Sequence, residues 1–240
     1  MAEEQIITST EEQNDIVEKA KGFWSKFSQP IIYIGTAIIL VGGGWLAYKN
    51  LVKIPNETKS AEQIFPAEQL FDKMTQAGFN KDSIGLVLNG GNGFTGVLKI
   101  ASNFGSTAAG NRAEFIAGAC YLHNKDFNNA VKHLKEFSTN SKQPQSAAYR
   151  MLGDAYSELK NNDDALNYYK KAIDAADLKD ESTRFLSLSR AALFCDAIGK
   201  NKEAIAYYQQ IKEEITPTFL RDNRIDFQVD KYLARLGVTK

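Results

Sequence analysis

The chain has 240 residues, 43% apolar and 24% charged, with 29 basic and 29 acidic side chains, so it is long enough for one or two folded domains with an ordinary core. The charge is unevenly placed: residues 1–26 carry six acids and three lysines, while residues 49–240 carry 26 basic and 23 acidic groups. Neither part has the dense basic face of a nucleic-acid binder, which excludes that class.

Residues 1–26 read as a short polar N-terminal tail. Residues 27–48 come next, without a charge between Lys26 and Lys49. About 20 apolar residues cross a bilayer as a helix, so this stretch is expected to be a transmembrane helix. Phe23 and Trp24 on one side, and Trp45 and Tyr48 on the other, are placed as interfacial aromatics. A buried core helix would not have such abrupt charged edges. A cleaved signal peptide would have a shorter apolar region, a basic start and a small-residue cleavage site. Lys19, Lys21 and Lys26 balance Lys49, Lys53 and Lys59, so charge alone leaves the orientation open.

Residues 49–60, with Pro55, read as a linker. Residues 61–110 read as the N-terminal helical part of a solenoid. Its first helix runs from Ala61 to Ala77 with Phe65, Leu70, Phe71 and Met74 as the apolar stripe, and Pro66 near its start. The run Asn89-Gly90-Gly91-Asn92-Gly93 reads as a turn rather than a phosphate loop, since no Gly-Lys-Ser/Thr comes after it. A further helix from Phe94 to Phe104 is expected to end in a glycine cap at Gly105.

Residues 111–222 read as three repeated units. The middle one has Tyr149, Leu152-Gly153, Tyr156, Ala165 and Tyr169, close to the tetratricopeptide signature W-x2-L-G-x2-Y…A-x3-F. Gly118, Tyr121, Ala130, Leu134 and Phe137 stand 35 positions before Gly153, Tyr156, Ala165, Tyr169 and Ala172. Ala192, Cys195, Ala204, Tyr208 and Ile211 stand 39 positions after them, the extra residues being placed in the turn at 177–182. Three units in register imply an all-α tetratricopeptide solenoid preceded by a single N-terminal transmembrane helix. Residues 223–240, with Phe227, Tyr232, Leu233 and Leu236 at roughly helical spacing, read as a C-terminal capping helix over its last apolar face.

Catalytic chemistry has no footing: His123 and His133 lack a cysteine or carboxylate cluster at metal spacing, and no nucleophile motif occurs. His123 reads as a turn residue and His133 as part of a solvated helix face. No catalytic residue, metal or cofactor is expected. Cys120 and Cys195 lie two units apart, roughly 20 Å at the usual spacing of packed helices. A disulfide needs Cα atoms within about 7 Å, so both are expected to be buried free thiols. A solenoid of this type binds through the first helix of each unit, at positions three before and one and four after the glycine of the signature. This frame gives Phe115, Ala119 and Leu122, then Arg150, Asp154 and Ser157, then Ser189, Leu193 and Asp196.

Asn89 to Phe94, Ile100 to Asn111, Ala117 to Leu122, Leu152 to Leu159 and Asp230 to Leu233 together resemble the membrane-anchored tetratricopeptide proteins of Bacteroidetes. These are similar in layout to the YfgM-type ancillary subunits of the SecYEG translocon. The resemblance implies a single-pass protein of the inner membrane, with a short cytoplasmic N-terminus and a periplasmic repeat domain. Its partners would be proteins, secretion-channel subunits or unfolded clients, met as a translocon-associated scaffold or chaperone-like partner. A structural scaffold of the envelope that forms homo-oligomers is the alternative.

Overall fold

The computed structural model describes residues 2–91 and 93–238, with side chains from residue 15 onward. It divides into two compact units, residues 1–55 and 56–240.

The first unit is helical throughout its described residues. Helix α1 spans Ala2–Tyr48, so the stretch read as a polar tail is helical as well. A short π-helical segment, Lys49–Lys53, comes after it. Among the described residues one helical stretch is long and apolar enough to cross a membrane, and it lies near the N-terminus. Its apolar side chains are exposed, Ile38, Leu40 and Val41 among them. Lysines stand at both edges, with Lys26 Nζ 5.5 Å from the Phe27 ring and Lys49 Nζ 5.3 Å from the Trp45 ring. Such pairs let each ammonium reach water while its stem lies along an aromatic face.

Residues 49–60, expected as a linker, are helical: the π segment runs into α2, Ile54–Ala77. Pro66 lies in the interior of α2 rather than at its start. Phe65 of the expected apolar stripe is exposed, whereas Ile64, Ala67 and Met74 are buried. Burial of that face against the next helices of the chain holds the proline-bearing segment helical in spite of the lost hydrogen bond.

A helix not expected from the sequence, α3 (Lys81–Asn89), is capped by Asn80, whose side chain accepts from Ser83 N at 2.8 Å. The glycine run then forms a minimal hairpin of β1 (Gly90–Gly91) and β2 (Phe94–Thr95). Asn92, part of the expected turn, lies outside the described residues. A Cβ on Gly96 would stand 2.3 Å from the Gly90 nitrogen, so the crossing accepts only glycine there. Because Phe94 and Thr95 pair in the hairpin, the next helix, α4, begins at Val97 and runs to Phe104. Gly105 ends it with φ −55°, a right-handed conformation, so no left-handed glycine cap forms.

Three helix pairs come next. The first is α5 (Ala108–His123) with α6 (Phe127–Glu136), the second α7 (Lys142–Glu158) with α8 (Asn162–Ala175). The third is α9 (Glu181–Ala197) with α10 (Asn201–Glu214). Short helices α11 (Pro217–Asp222) and α12 (Val229–Arg235) complete the chain.

The turn inside each pair repeats atom for atom. Lys125, Lys160 and Gly199, at equivalent positions, adopt φ of 62°, 60° and 76°. The next amide donates five residues back in every case: Asp126 N to Tyr121 O, Asn161 N to Tyr156 O, Lys200 N to Cys195 O. This is the six-to-one bond of a Schellman cap. The change of offset from 35 to 39 has a different origin from the one expected. The loops 137–141 and 176–180 are equally long, while α8 has 14 residues and α6 has 10. Four added residues are close to one helical turn, so α8 lengthens without rotating its apolar face.

The apolar interior falls into two clusters. One joins α2 to α5 through Ile64, Val87, Val97, Ile100 and Cys120; the other joins α6 to α10 and α12 through Leu134, Leu152, Tyr169, Leu188 and Tyr208. Phe115 and Tyr121 pack against both. Cys120 and Cys195 are free and fully buried, and burial pushes their thiols up to about 12 and about 11.

Candidate partner-binding groove

The second pair shows how close approach builds the wall. A Cβ on Gly153 would stand 2.6 Å from the Tyr169 ring, so the ring lies directly on the α7 backbone. From that position the Tyr169 hydroxyl donates to Asp154 Oδ1 at 2.7 Å. Arg190, on α9, brings its Nε to 4.0 Å from the same oxygen. Burial pushes the Asp154 carboxyl above its ordinary range, against the opposing pull of Arg190 and the Tyr169 hydrogen bond.

A cavity of about 600 Å³ opens beside this group. Leu122, Phe127, Leu193, Phe194 and Ala197 supply its apolar wall, and Asp154, Glu158, Arg190, Lys125 and His123 its charged and polar wall. Contributions come from α5, α6, α7, α8 (through Tyr169) and α9, which converge on this cavity.

The structure separates the nine positions given by the repeat frame. Leu122, Asp154, Ser157 and Leu193 line this cavity. Ala119 is buried at 3% exposure, and Ser189, also buried, donates its hydroxyl to Leu186 O at 3.3 Å. Phe115 lines a different depression with Phe71, Arg112 and Phe137. Its ring lies 5.0 Å from that of Phe137. Arg150 is half-buried one turn before Asp154, and burial lowers its affinity for a proton. Asp196 is taken up inside the molecule: the Tyr208 hydroxyl donates to Oδ2 at 3.1 Å, and the Arg235 guanidinium of α12 pairs with the same oxygen.

Phe127, Glu158, Arg190 and Phe194 join the cavity although the frame omits them. The frame counts only ideal first-helix positions, whereas Phe127 begins a second helix and Arg190 reaches back from the next unit.

The histidines also differ from expectation. His123 ends α5, as a turn-proximal residue should, but its ring stacks on Phe79 with centroids 3.6 Å apart. Partial burial lowers its pKa. His133 is not solvated: its Nδ1 lies 2.6 Å from Glu114 Oε2, and its ring stacks 5.3 Å from that of Tyr121. Packing of α5 on α6 draws the His133 ring inward, while His123 is covered by Phe79 from the segment between α2 and α3.

A family model described as tetratricopeptide repeat matches residues 146–177, which span α7 and α8. Neither a curated protein nor a solved structure matches the chain. The protein is thus an all-α helical-repeat protein of tetratricopeptide type, a fold that serves as a protein–protein interaction module.

Proposed function

We propose that this interaction module is anchored in the inner membrane by α1, with its repeats in the periplasm, and assists protein secretion or envelope protein maturation. It would act as a scaffold or chaperone-like partner beside the secretion channel, the role implied by its resemblance to membrane-anchored tetratricopeptide proteins of Bacteroidetes and to YfgM-type translocon subunits. The observation that carries the binding part of this reading is the cavity between α5, α7 and α9. It mixes exposed apolar surface at Leu193 with charged groups at Asp154 and Arg190, as a site for a polypeptide segment requires. An apolar helix at the head of the chain supports the anchoring part.

The test is photocrosslinking in intact membranes from a reactive residue placed at Leu193, with the captured proteins identified. Channel subunits or unfolded clients support the proposal. Recovery of further copies of this chain alone supports a homo-oligomeric envelope scaffold instead. Protease protection of the repeats in sealed spheroplasts against opened ones checks the orientation, and a cytoplasmic repeat domain overturns the secretory role.

A further inference from the structure

Two successive interfaces of the stack use one polar device. Tyr169 and Tyr208 are equivalent residues of α8 and α10, and each donates its hydroxyl to an aspartate of its partner helix, Asp154 on α7 or Asp196 on α9. At each aspartate an arginine arrives from a later helix, Arg190 from α9 or Arg235 from α12. The two are filled differently. Arg235 pairs directly with Asp196 and lies over the Tyr232 ring, 5.4 Å from its centroid, while Tyr232 stacks on Tyr208. The chain's own C-terminal helix thus supplies a cation and an aromatic ring to the Tyr208–Asp196 pair.

At Asp154 that place is only loosely held. Arg190 stands 4.0 Å away, outside direct hydrogen-bond reach. The cavity occupies the space beside the carboxylate, and Glu158, one turn along α7, adds a second negative group to it. Lys125 and Arg190 are the positive groups on its lining.

We propose that the cavity at Asp154 takes a basic side chain of a protein partner, flanked by an apolar residue, in the way that Asp196 takes Arg235 beside Tyr232. The guanidinium or ammonium would complete the Tyr169–Asp154 pair, and the flanking residue would lie on Leu122 and Leu193. This rests on the groove reading above and adds the chemistry of the occupant. A desolvated carboxylate gains more from a close cation than an exposed one does, because water screens it less.

The full chain in detergent micelles is titrated with paired fluorescent peptides that differ only in carrying arginine or glutamate beside a leucine–phenylalanine pair. The arginine peptide is expected to bind about tenfold more tightly, a preference that weakens with salt. Asp154→Asn keeps an acceptor for Tyr169 and should abolish the preference, while Arg190→Gln should retain or strengthen it. Equal binding of the two peptides, unaltered by Asp154→Asn, overturns the cation site and leaves the groove standing. Binding of neither peptide overturns both the cation site and the groove.

Discussion

The Tyr169 hydroxyl donates to Asp154 Oδ1 at 2.7 Å, from a ring pressed onto the α7 backbone at Gly153. This bond joins the two helices of the middle unit and sets the most desolvated carboxylate of the groove. Burial raises the Asp154 pKa, so the folded state holds this proton more tightly than the unfolded state does. The contribution to stability is therefore greatest below the ordinary aspartate pKa and declines as pH rises through the folded value. Asp154→Asn removes the charge and should melt at or above the wild-type temperature at pH 7, with the difference shrinking toward pH 4. Calorimetry at the two pH values checks this; a larger deficit for the variant at pH 7 than at pH 4 contradicts it.

Gly153→Ala should destabilise the repeats. The added methyl meets a Tyr169 ring that is 3% exposed and tethered by its hydroxyl, so the ring has no free space to enter. Overpacking typically costs about 1–3 kcal/mol, offset by roughly 0.5–1 kcal/mol of improved helix propensity. Chemical denaturation measures the net loss, and an unchanged midpoint would sink the close-packing claim.

Lys160→Gly should stabilise. Lys160 holds φ 60° at the position that Gly199 occupies in the next unit. The left-handed conformation costs a residue with a Cβ about 1–2 kcal/mol, part of which glycine returns as added freedom of the unfolded chain. The net gain should be a fraction of that range, or a rise of up to about 2–4 °C in melting temperature. A fall in melting temperature refutes this account of the turn.

Removal of residues 223–240 should lower the melting temperature or cause aggregation. Val229 and Leu233 are buried, Phe227 meets Phe185 edge-on at 5.3 Å, and Tyr232 stacks on Tyr208 at 5.0 Å. Their loss exposes the apolar end of α10, which a solenoid must cover. Scanning calorimetry of the truncated chain is decisive, and an unaltered transition removes any capping role.

Cys120 and Cys195 should resist a thiol reagent at pH 8 until the chain is unfolded. Both are inaccessible, and thiols pushed up to about 12 and about 11 hold almost no thiolate at that pH. Mass spectrometry after labelling, with and without denaturant, counts the reacted cysteines. Rapid modification of the native chain would show that these sites open readily.

The repeats were legible in the sequence because their signals are local. Gly153 opposite Tyr169, small residues at Ala130, Ala165 and Ala204, and matching turns at Lys125, Lys160 and Gly199 recur in one register, at offsets of 35 and 39. Each reflects contacts within one helix pair, which any sequence that folds this way must satisfy. The apolar run at 27–48 was legible for the same reason, since length and hydropathy are properties of the chain itself.

The tertiary structure decided whatever depends on distant neighbours. The inserted residues lengthen α8 instead of the turn after it, because a full helical turn preserves the buried face of Ala172 and Ile173. Helix α2 passes through Pro66 because Ile64, Ala67 and Met74 find partners on α3, α4 and α5. Above all, Asp154 and Asp196 are both polar residues of first helices in the sequence, yet one faces a cavity and the other is paired directly with Arg235. That difference arises from the element stacked next on each unit, another full helix pair on the second and a short capping helix on the third.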